Sequence, residues 1–156
     1  MRISIVAVGR LGRDPAALLA KDYAERATAA GRALGLTPID VIEVEARKPG
    51  KAAEAEALLA TLGTDPTYLI ACDERGQAHP SRVIAERLGR LRDGGERRLV
   101  FLIGGADGLD PELVGKARET LAFGPQTWPH ALARAMLAEQ IYRAVTILGG
   151  GPYHRD

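Results

Sequence analysis

Two short stretches combine residue types and spacing that could do chemistry. The first, Gly104-Gly105-Ala106-Asp107-Gly108-Leu109, directly follows the most apolar run of the chain, Leu99-Val100-Phe101-Leu102-Ile103. Glycines at the end of a buried strand let backbone N–H groups and a ligand approach each other with no Cβ between them. Asp73 and Glu74 close another apolar run. They would therefore share with the glycine loop the side of an open α/β sheet where ligands bind, beyond the carboxyl ends of the strands. A plain β-to-α turn would use the same glycines. The second stretch is the C-terminus: His130 and Arg134, then Glu139 and Arg143, then Gly149-Gly150-Gly151-Pro152-Tyr153-His154-Arg155-Asp156. A tail of Tyr, His and Arg can supply a proton acceptor and contacts to a base or a phosphate. A frayed terminus is the plainer reading of it, and Glu139 with Arg143 at i, i+4 fits a surface pair worth about 0.2 to 0.5 kcal/mol.

Several other chemistries lack the residues they need. A dinucleotide fingerprint G-x-G-x-x-G should follow the first strand, where this chain has Gly9-Arg10-Leu11-Gly12, and Glu43 and Glu45 come too late to serve as its acidic residue. The same gap removes the usual Rossmann-type methyltransferase loop, and no phosphate-binding G-x-x-x-x-G-K-[ST] occurs. His79, His130 and His154 are far apart and Cys72 stands alone, so no metal site is expected. Neither Ser4 nor Ser81 lies in a G-x-S-x-G elbow, which leaves no serine nucleophile.

Composition narrows the partners. With 21 Lys+Arg against 20 Asp+Glu the formal net charge is +1, so no global field attracts nucleic acid, and any such contact must come from local patches. Arg10 with Arg13, and Arg47, Lys48 and Lys51 around Gly50, are two small ones that could touch phosphates. The cluster Arg87, Arg90, Arg92, Arg97 and Arg98 is diluted by Glu86, Asp93 and Glu96 and reads as a solvated mixed face. Two Phe, one Trp and four Tyr are too few for a platform that stacks several bases. A single cysteine, no signal-like N-terminus and no apolar run near the roughly 20 residues that span a bilayer point to a cytoplasmic protein with no membrane segment.

The elements that would position these residues alternate. Arg2–Val8 alternates and is β-branched, a strand turned by Gly9 to Gly12, and Asp14-Pro15 caps a first helix running toward Leu34 with Leu18, Leu19, Ala24 and Ala27 on its apolar face. Ile39–Val44 reads as a strand, Lys51–Leu62 as a helix, Thr67–Cys72 as a strand and Ser81–Arg92 as a helix. Leu99–Ile103, apolar without alternation, suits the middle strand of a sheet covered on both faces. Asp110-Pro111 caps a helix to about Leu121, the segment Phe123–Trp128 follows, and His130–Leu148 is the last and longest helix. Its stripe Leu137, Ile141, Ala144, Val145 and Leu148 buries one face, and Ala131, Ala133, Ala135 and Ala138 would let a helix or a second subunit come close, although alanine is also simply a good helix former. The expected fold is one α/β domain over residues 1–156, a mainly parallel three-layer sheet.

Val6-Ala7-Val8-Gly9, Phe101 to Leu109, Pro129-His130, Arg134, Ala138-Glu139-Gln140-Ile141-Tyr142-Arg143-Ala144 and Pro152-Tyr153-His154-Arg155 occur in this order across the whole chain. In them the chain resembles the RlmH (YbeA-like) family, small SPOUT-class methyltransferases acting on N3 of a pseudouridine of 23S ribosomal RNA. The resemblance implies a C-terminal trefoil knot, a homodimer, S-adenosylmethionine bound bent in the knot, and a target in the helix 69 loop of assembled 70S ribosomes. It places cofactor contacts on Cys72, Gly104 and the segment Phe123, Gly124, Pro125, Gln126, Thr127 and Trp128, with Gly105 and Gly108 shaping the same loop, mostly through backbone. Methylation at N3 requires removal of the N3 proton, for which His154 is the candidate by its chemistry, with Arg143 and Arg155 candidates to hold phosphate or the base and Tyr153 to stack or hydrogen-bond; in the family picture one subunit's tail completes the other's site. The tail would order when RNA is bound. Cys72 stands where the family commonly has leucine, and Pro125 removes a backbone donor. The remaining readings are a SPOUT enzyme for another RNA position, a non-catalytic α/β nucleotide- or RNA-binding module, and a flavin-binding flavodoxin-like domain.

Overall fold

In the computed structural model, which describes residues 1–155, the N-terminal alternation becomes strand β1 (Arg2–Val8), buried at every position after Arg2. Asp14 caps α1 (Pro15–Gly31) by accepting the Ala16 N–H at 2.8 Å, with Pro15 in the first turn where its missing donor costs nothing. The chain continues through a short 3-10 turn, β2 (Ile39–Val44), α2 (Lys51–Ala60), β3 (Tyr68–Gln77), α3 (Ser81–Asp93), β4 (Arg98–Ile103), α4 (Pro111–Lys116), β5 (Glu119–Leu121) and α5 (His130–Leu148). All strand pairs are parallel in the order β2-β1-β4-β3-β5, so the unbroken apolar run of β4 is indeed the central strand.

Pleating divides the core into two layers. Ile3, Ile5, Ala7, Phe101 and Ile103 face α1, α3 and α5, whereas Val6, Val8, Val100 and Leu102 face Leu58 of α2 and Leu113 of α4. Helices on both faces give the expected three-layer α/β architecture. α1 packs closely on α5 through small residues, with Ala20, Ala24 and Ala27 meeting the buried Ala135, Ala138 and Ile141.

Three expectations change. Leu18 and Leu19 do not belong to the apolar face of α1: they are 56% and 46% exposed, and the alanines carry the packing instead. The helix after Asp110 ends at Lys116, and Glu119–Leu121 pairs with β3 as an edge strand, its three residues being too few to show alternation. β3 does not end at Cys72. Cys72 and Gln77 both pair with Leu121, so Asp73 to Gly76 is an excursion from the strand, and a Cβ on Gly76 would stand 2.9 Å from the Leu121 backbone.

The arginine cluster before β4 is also less solvated than its sequence suggests. Arg87 pairs with Glu119, Arg92 donates to the Leu34 carbonyl at 3.1 Å, and Arg98 donates to the Thr61 carbonyl at 3.2 Å.

Candidate functional site

The carboxyl ends of β3 and β4 open into a cleft of about 790 Å³. That is within the usual range for a small-molecule site, roughly 300 to 1,000 Å³. Its floor is Cys72, Ile103 and Gly104; one wall is the excursion Asp73, Glu74 and Arg75; another is the loop Gly105 to Leu109. Leu121, Ala122, Phe123, Gln126, Thr127 and Trp128 line the side toward α5, whose first residues His130 and Ala133 complete it, and Lys51 reaches in from α2.

Eight of the ten residues expected to hold a cofactor thus meet in one place: Cys72, Gly104, Gly105, Gly108, Phe123, Gln126, Thr127 and Trp128. Gly124 faces the neighbouring groove instead. Pro125 is exposed and lines neither.

Local chemistry explains this shape. A Cβ on Gly104 would stand 2.5 Å from the Gly108 carbonyl carbon, so the loop can fold back on β4 only with glycine there. Gly108 has φ +79 and its N–H donates to the Gly105 carbonyl at 3.1 Å, closing the turn. The Phe123–Trp128 segment closes on itself, Trp128 Nε1 donating to the Phe123 carbonyl at 3.2 Å, and Thr127 Oγ1 donates to Glu74 at 3.2 Å across to β3. Burial pushes the Cys72 thiol up to about 12, so it stays protonated at neutral pH and serves as floor rather than as nucleophile. Arg75 holds the Asp73 carboxyl below its ordinary value, so the cleft keeps a carboxylate there at neutral pH.

The residues expected to act on substrate gather elsewhere. Arg143 Nε donates to Glu139 Oε1 at 3.0 Å, Tyr153 OH donates to the same oxygen at 3.1 Å, and Arg143 Nη1 donates to His154 Nδ1 at 3.2 Å. The tail is therefore seated against its own chain, with the Tyr153 ring edge-on to Tyr142 at 4.7 Å, rather than waiting for RNA to order it. Arg155 is exposed, and Asp156 lies outside the described residues.

Burial, with hydrogen bonds to Tyr23 and Glu139, drives the Tyr153 phenol well above its ordinary value, and the bond to Glu139 raises Arg143. Tyr153 thus remains a donor and Arg143 a cation across the working pH range. Arg143 lines a second groove, of about 650 Å³, that adjoins the first through the shared residues Leu121, Ala122 and Phe123. Exposed Leu19 and Leu132 lie along that groove.

Two charged residues hold the walls of the cleft in place. Arg134 is not a polar surface residue: it is fully buried, and its guanidinium donates to Glu43 at 2.8 Å, to the Val8 carbonyl at 3.0 Å and to the Gly9 carbonyl at 3.2 Å. It ties the start of α5, and so one edge of the cleft, to the end of β1. The signal was present, since Arg134 precedes Leu137, Ile141 and Val145 by three, seven and eleven positions and so sits on the apolar stripe. Glu54 of α2 is the second; its carboxylate accepts the Gly105 N–H at 3.3 Å.

Comparison with known proteins follows the same outline. The family described as "Predicted SPOUT methyltransferase" matches residues 1–154. A protein of Phenylobacterium zucineum named "Ribosomal RNA large subunit methyltransferase H" is 73% identical over 156 residues, covering all of both chains. A protein of the same name from Caulobacter vibrioides is 67% identical over all of this chain and 99% of its own. Among solved structures, "a probable methylase family protein" from Haemophilus influenzae aligns with 99% of this chain and 70% of its own at a TM-score of 0.53 and 14% identity, a likeness of fold.

Proposed function

The chain belongs to the SPOUT methyltransferase family, and from that premise we propose that it methylates large-subunit ribosomal RNA, transferring a methyl group from S-adenosylmethionine to N3 of a pseudouridine in the helix 69 loop of 23S rRNA on assembled 70S ribosomes. The observation that carries the reading is the convergence of the glycine loop, Cys72 and the Phe123–Trp128 segment on a single cleft. The cleft suits this cofactor by its donor set. It offers backbone, Phe123 and Trp128, and the carboxylates of Asp73, Glu74 and Asp107 against the cations Lys51 and Arg75, the latter engaged by Asp73; the surplus of carboxylates matches a sulfonium, an ammonium and ribose hydroxyls better than a chain of phosphates.

When bound, S-adenosylmethionine supplies an electrophilic methyl group, so the protein's own work is alignment and removal of one proton. Cys72, Gly104, Gly105, Gly108, Phe123, Gln126, Thr127 and Trp128 would hold it. His154 takes the N3 proton of the base. Arg143 and Arg155 hold phosphate or a base oxygen, and Tyr153, which stays protonated, donates a hydrogen bond or packs against the base.

In one chain the tail is held by Tyr23, Glu139 and Arg143, which line the groove beside the cleft, and exposed Leu19 and Leu132 lie along that groove. These features support a homodimer in which the tail of one subunit serves the cofactor cleft of the other, and the same reading includes the C-terminal trefoil knot. A net charge of +1 gives little hold on naked RNA, so the shape of the assembled ribosome supplies the recognition.

Mixed dimers test the shared site. Gly104→Ala, whose Cβ would stand 2.5 Å from the Gly108 carbonyl carbon, damages the cofactor loop, and His154→Ala removes the proton acceptor. Each homodimer is expected to leave 70S ribosomes unmethylated, while dimers carrying one of each subunit regain activity through the one intact composite site. Mixed dimers as inactive as either parent would contradict a site built from two subunits.

A further inference from the structure

Glu54 stands in the first turn of α2 and is not part of the cleft's lining, yet it touches the cofactor loop at its tightest point. Its Oε2 accepts the Gly105 N–H at 3.3 Å. A Cβ added to Gly105 would stand 2.8 Å from Glu54 Oε1, 3.1 Å from Oε2 and 3.2 Å from Cδ. Gly105 is not among the glycines with positive φ, so its backbone would accept any side chain. What excludes a side chain there is the carboxylate.

The loop's other hydrogen-bonded and backbone ties are internal, Gly108 bridging back to Gly105 and Gly104 lying against the Gly108 and Leu109 backbone, while Leu109 anchors its end in the core. Glu54 connects this self-closed turn to a helix. A carboxylate acceptor makes a stronger bond to a backbone N–H than a neutral oxygen does, and the bond also settles which groups of the loop are spoken for. The Gly105 N–H belongs to Glu54 and the Gly108 N–H to the Gly105 carbonyl, so a ligand must meet other groups of the loop.

We propose that Glu54 is the positioning residue of the cofactor loop, holding the Gly105 peptide so that the turn is set before cofactor binds. The inference rests on the reading of the cleft as the S-adenosylmethionine site. An acidic residue in the first turn also favours α2 through the helix dipole, and that role alone predicts an effect on stability without one on the loop.

Calorimetric titration of the purified full-length protein with S-adenosylmethionine separates these roles. Glu54→Ala is expected to bind about tenfold more weakly than wild type, the loss that one hydrogen bond to a charged group implies, with a fall in melting temperature of only a few degrees that leaves the protein fully folded at the temperature of titration. Glu54→Gln, which keeps an acceptor, should recover most of the affinity. Gly105→Ala should weaken binding to a similar degree by pushing the carboxylate aside, and the double variant should be no weaker than either single one.

A Glu54→Ala protein that binds as tightly as wild type, or effects of Glu54→Ala and Gly105→Ala that multiply, would overturn the proposal. So would a fall in melting temperature with Glu54→Ala that accounts for its loss of affinity. A wild-type protein that binds no S-adenosylmethionine removes the reading of the cleft, and this inference with it.

Discussion

Replacing His154 by alanine is expected to lower turnover on 70S ribosomes by about 100- to 10,000-fold, the usual contribution of a general base, while leaving affinity for S-adenosylmethionine unchanged. The N3 proton of a pseudouridine is an imide proton and is largely in place at neutral pH, so methylation at N3 needs an acceptor for it. Among the described tail residues and Arg143, only His154 can act in that role. The Tyr153 phenol is held protonated by burial and its bonds to Tyr23 and Glu139, and Arg143 is held as a cation by Glu139. Arg155 carries no usable lone pair at these pH values.

The geometry adds a step. A guanidinium only donates, so the 3.2 Å contact from Arg143 Nη1 means that His154 Nδ1 presents its lone pair to Arg143. That contact must open for Nδ1 to receive the proton, and opening it releases the fork of Arg143 for an oxygen of the substrate. Single-turnover measurements with bound cofactor would check the effect. A His154→Ala enzyme that turns over within a few-fold of wild type would mean that alignment alone carries the reaction.

Arg134→Met is expected to cause the largest loss of stability, about 3 kcal/mol, which for a chain of this size lowers the melting temperature by roughly 10 °C. Arg134 has no exposed side-chain surface, while Glu43 keeps 30% of its own. Burial lowers the Arg134 pKa, with Glu43 opposing that shift. Methionine fills the volume but leaves the Val8 and Gly9 carbonyls without the Arg134 donor and Glu43 with the Leu11 N–H at 3.3 Å and no counter-charge, and an abandoned buried acceptor costs more than the pair itself contributes.

Adding Glu43→Leu to Arg134→Met should therefore recover part of the loss, since it removes the stranded charge. Thermal unfolding of the three proteins checks this. A melting temperature for Arg134→Met within about 2 °C of wild type would show that the arginine is not a structural tie.

These two residues also show how far the sequence could be read. β1, β2 and α5 are legible to the residue because each combines a clear period with a punctuating signal: β-branched alternation before Gly9, and Pro129 ahead of nineteen helical residues. The middle position of β4 was legible because an apolar run without alternation has only one comfortable place in a parallel sheet.

β5 was not, since Glu119-Thr120-Leu121 acquires strand character only by pairing with β3, a contact distant in sequence. Leu18 and Leu19 misled because hydrophobicity alone does not distinguish a face packed within the chain from one left exposed. For the site, the glycine loop and the tail's capacity to accept a proton and touch a phosphate were legible from their chemistry, and the Phe123–Trp128 segment only through likeness to a family. Glu54 was missed, and Arg134 was singled out without its buried role, because an isolated charge reads as surface until the fold shows which backbone group it serves.

Nucleoside mass spectrometry on 70S ribosomes from a methylation-deficient strain, incubated with the purified protein and labelled S-adenosylmethionine, tests the central claim most directly. The account predicts label in N3-methylpseudouridine from 23S rRNA, with little or none when naked 23S rRNA replaces the ribosome. Label confined to another nucleoside, or none at all from a protein that binds the cofactor, would contradict it.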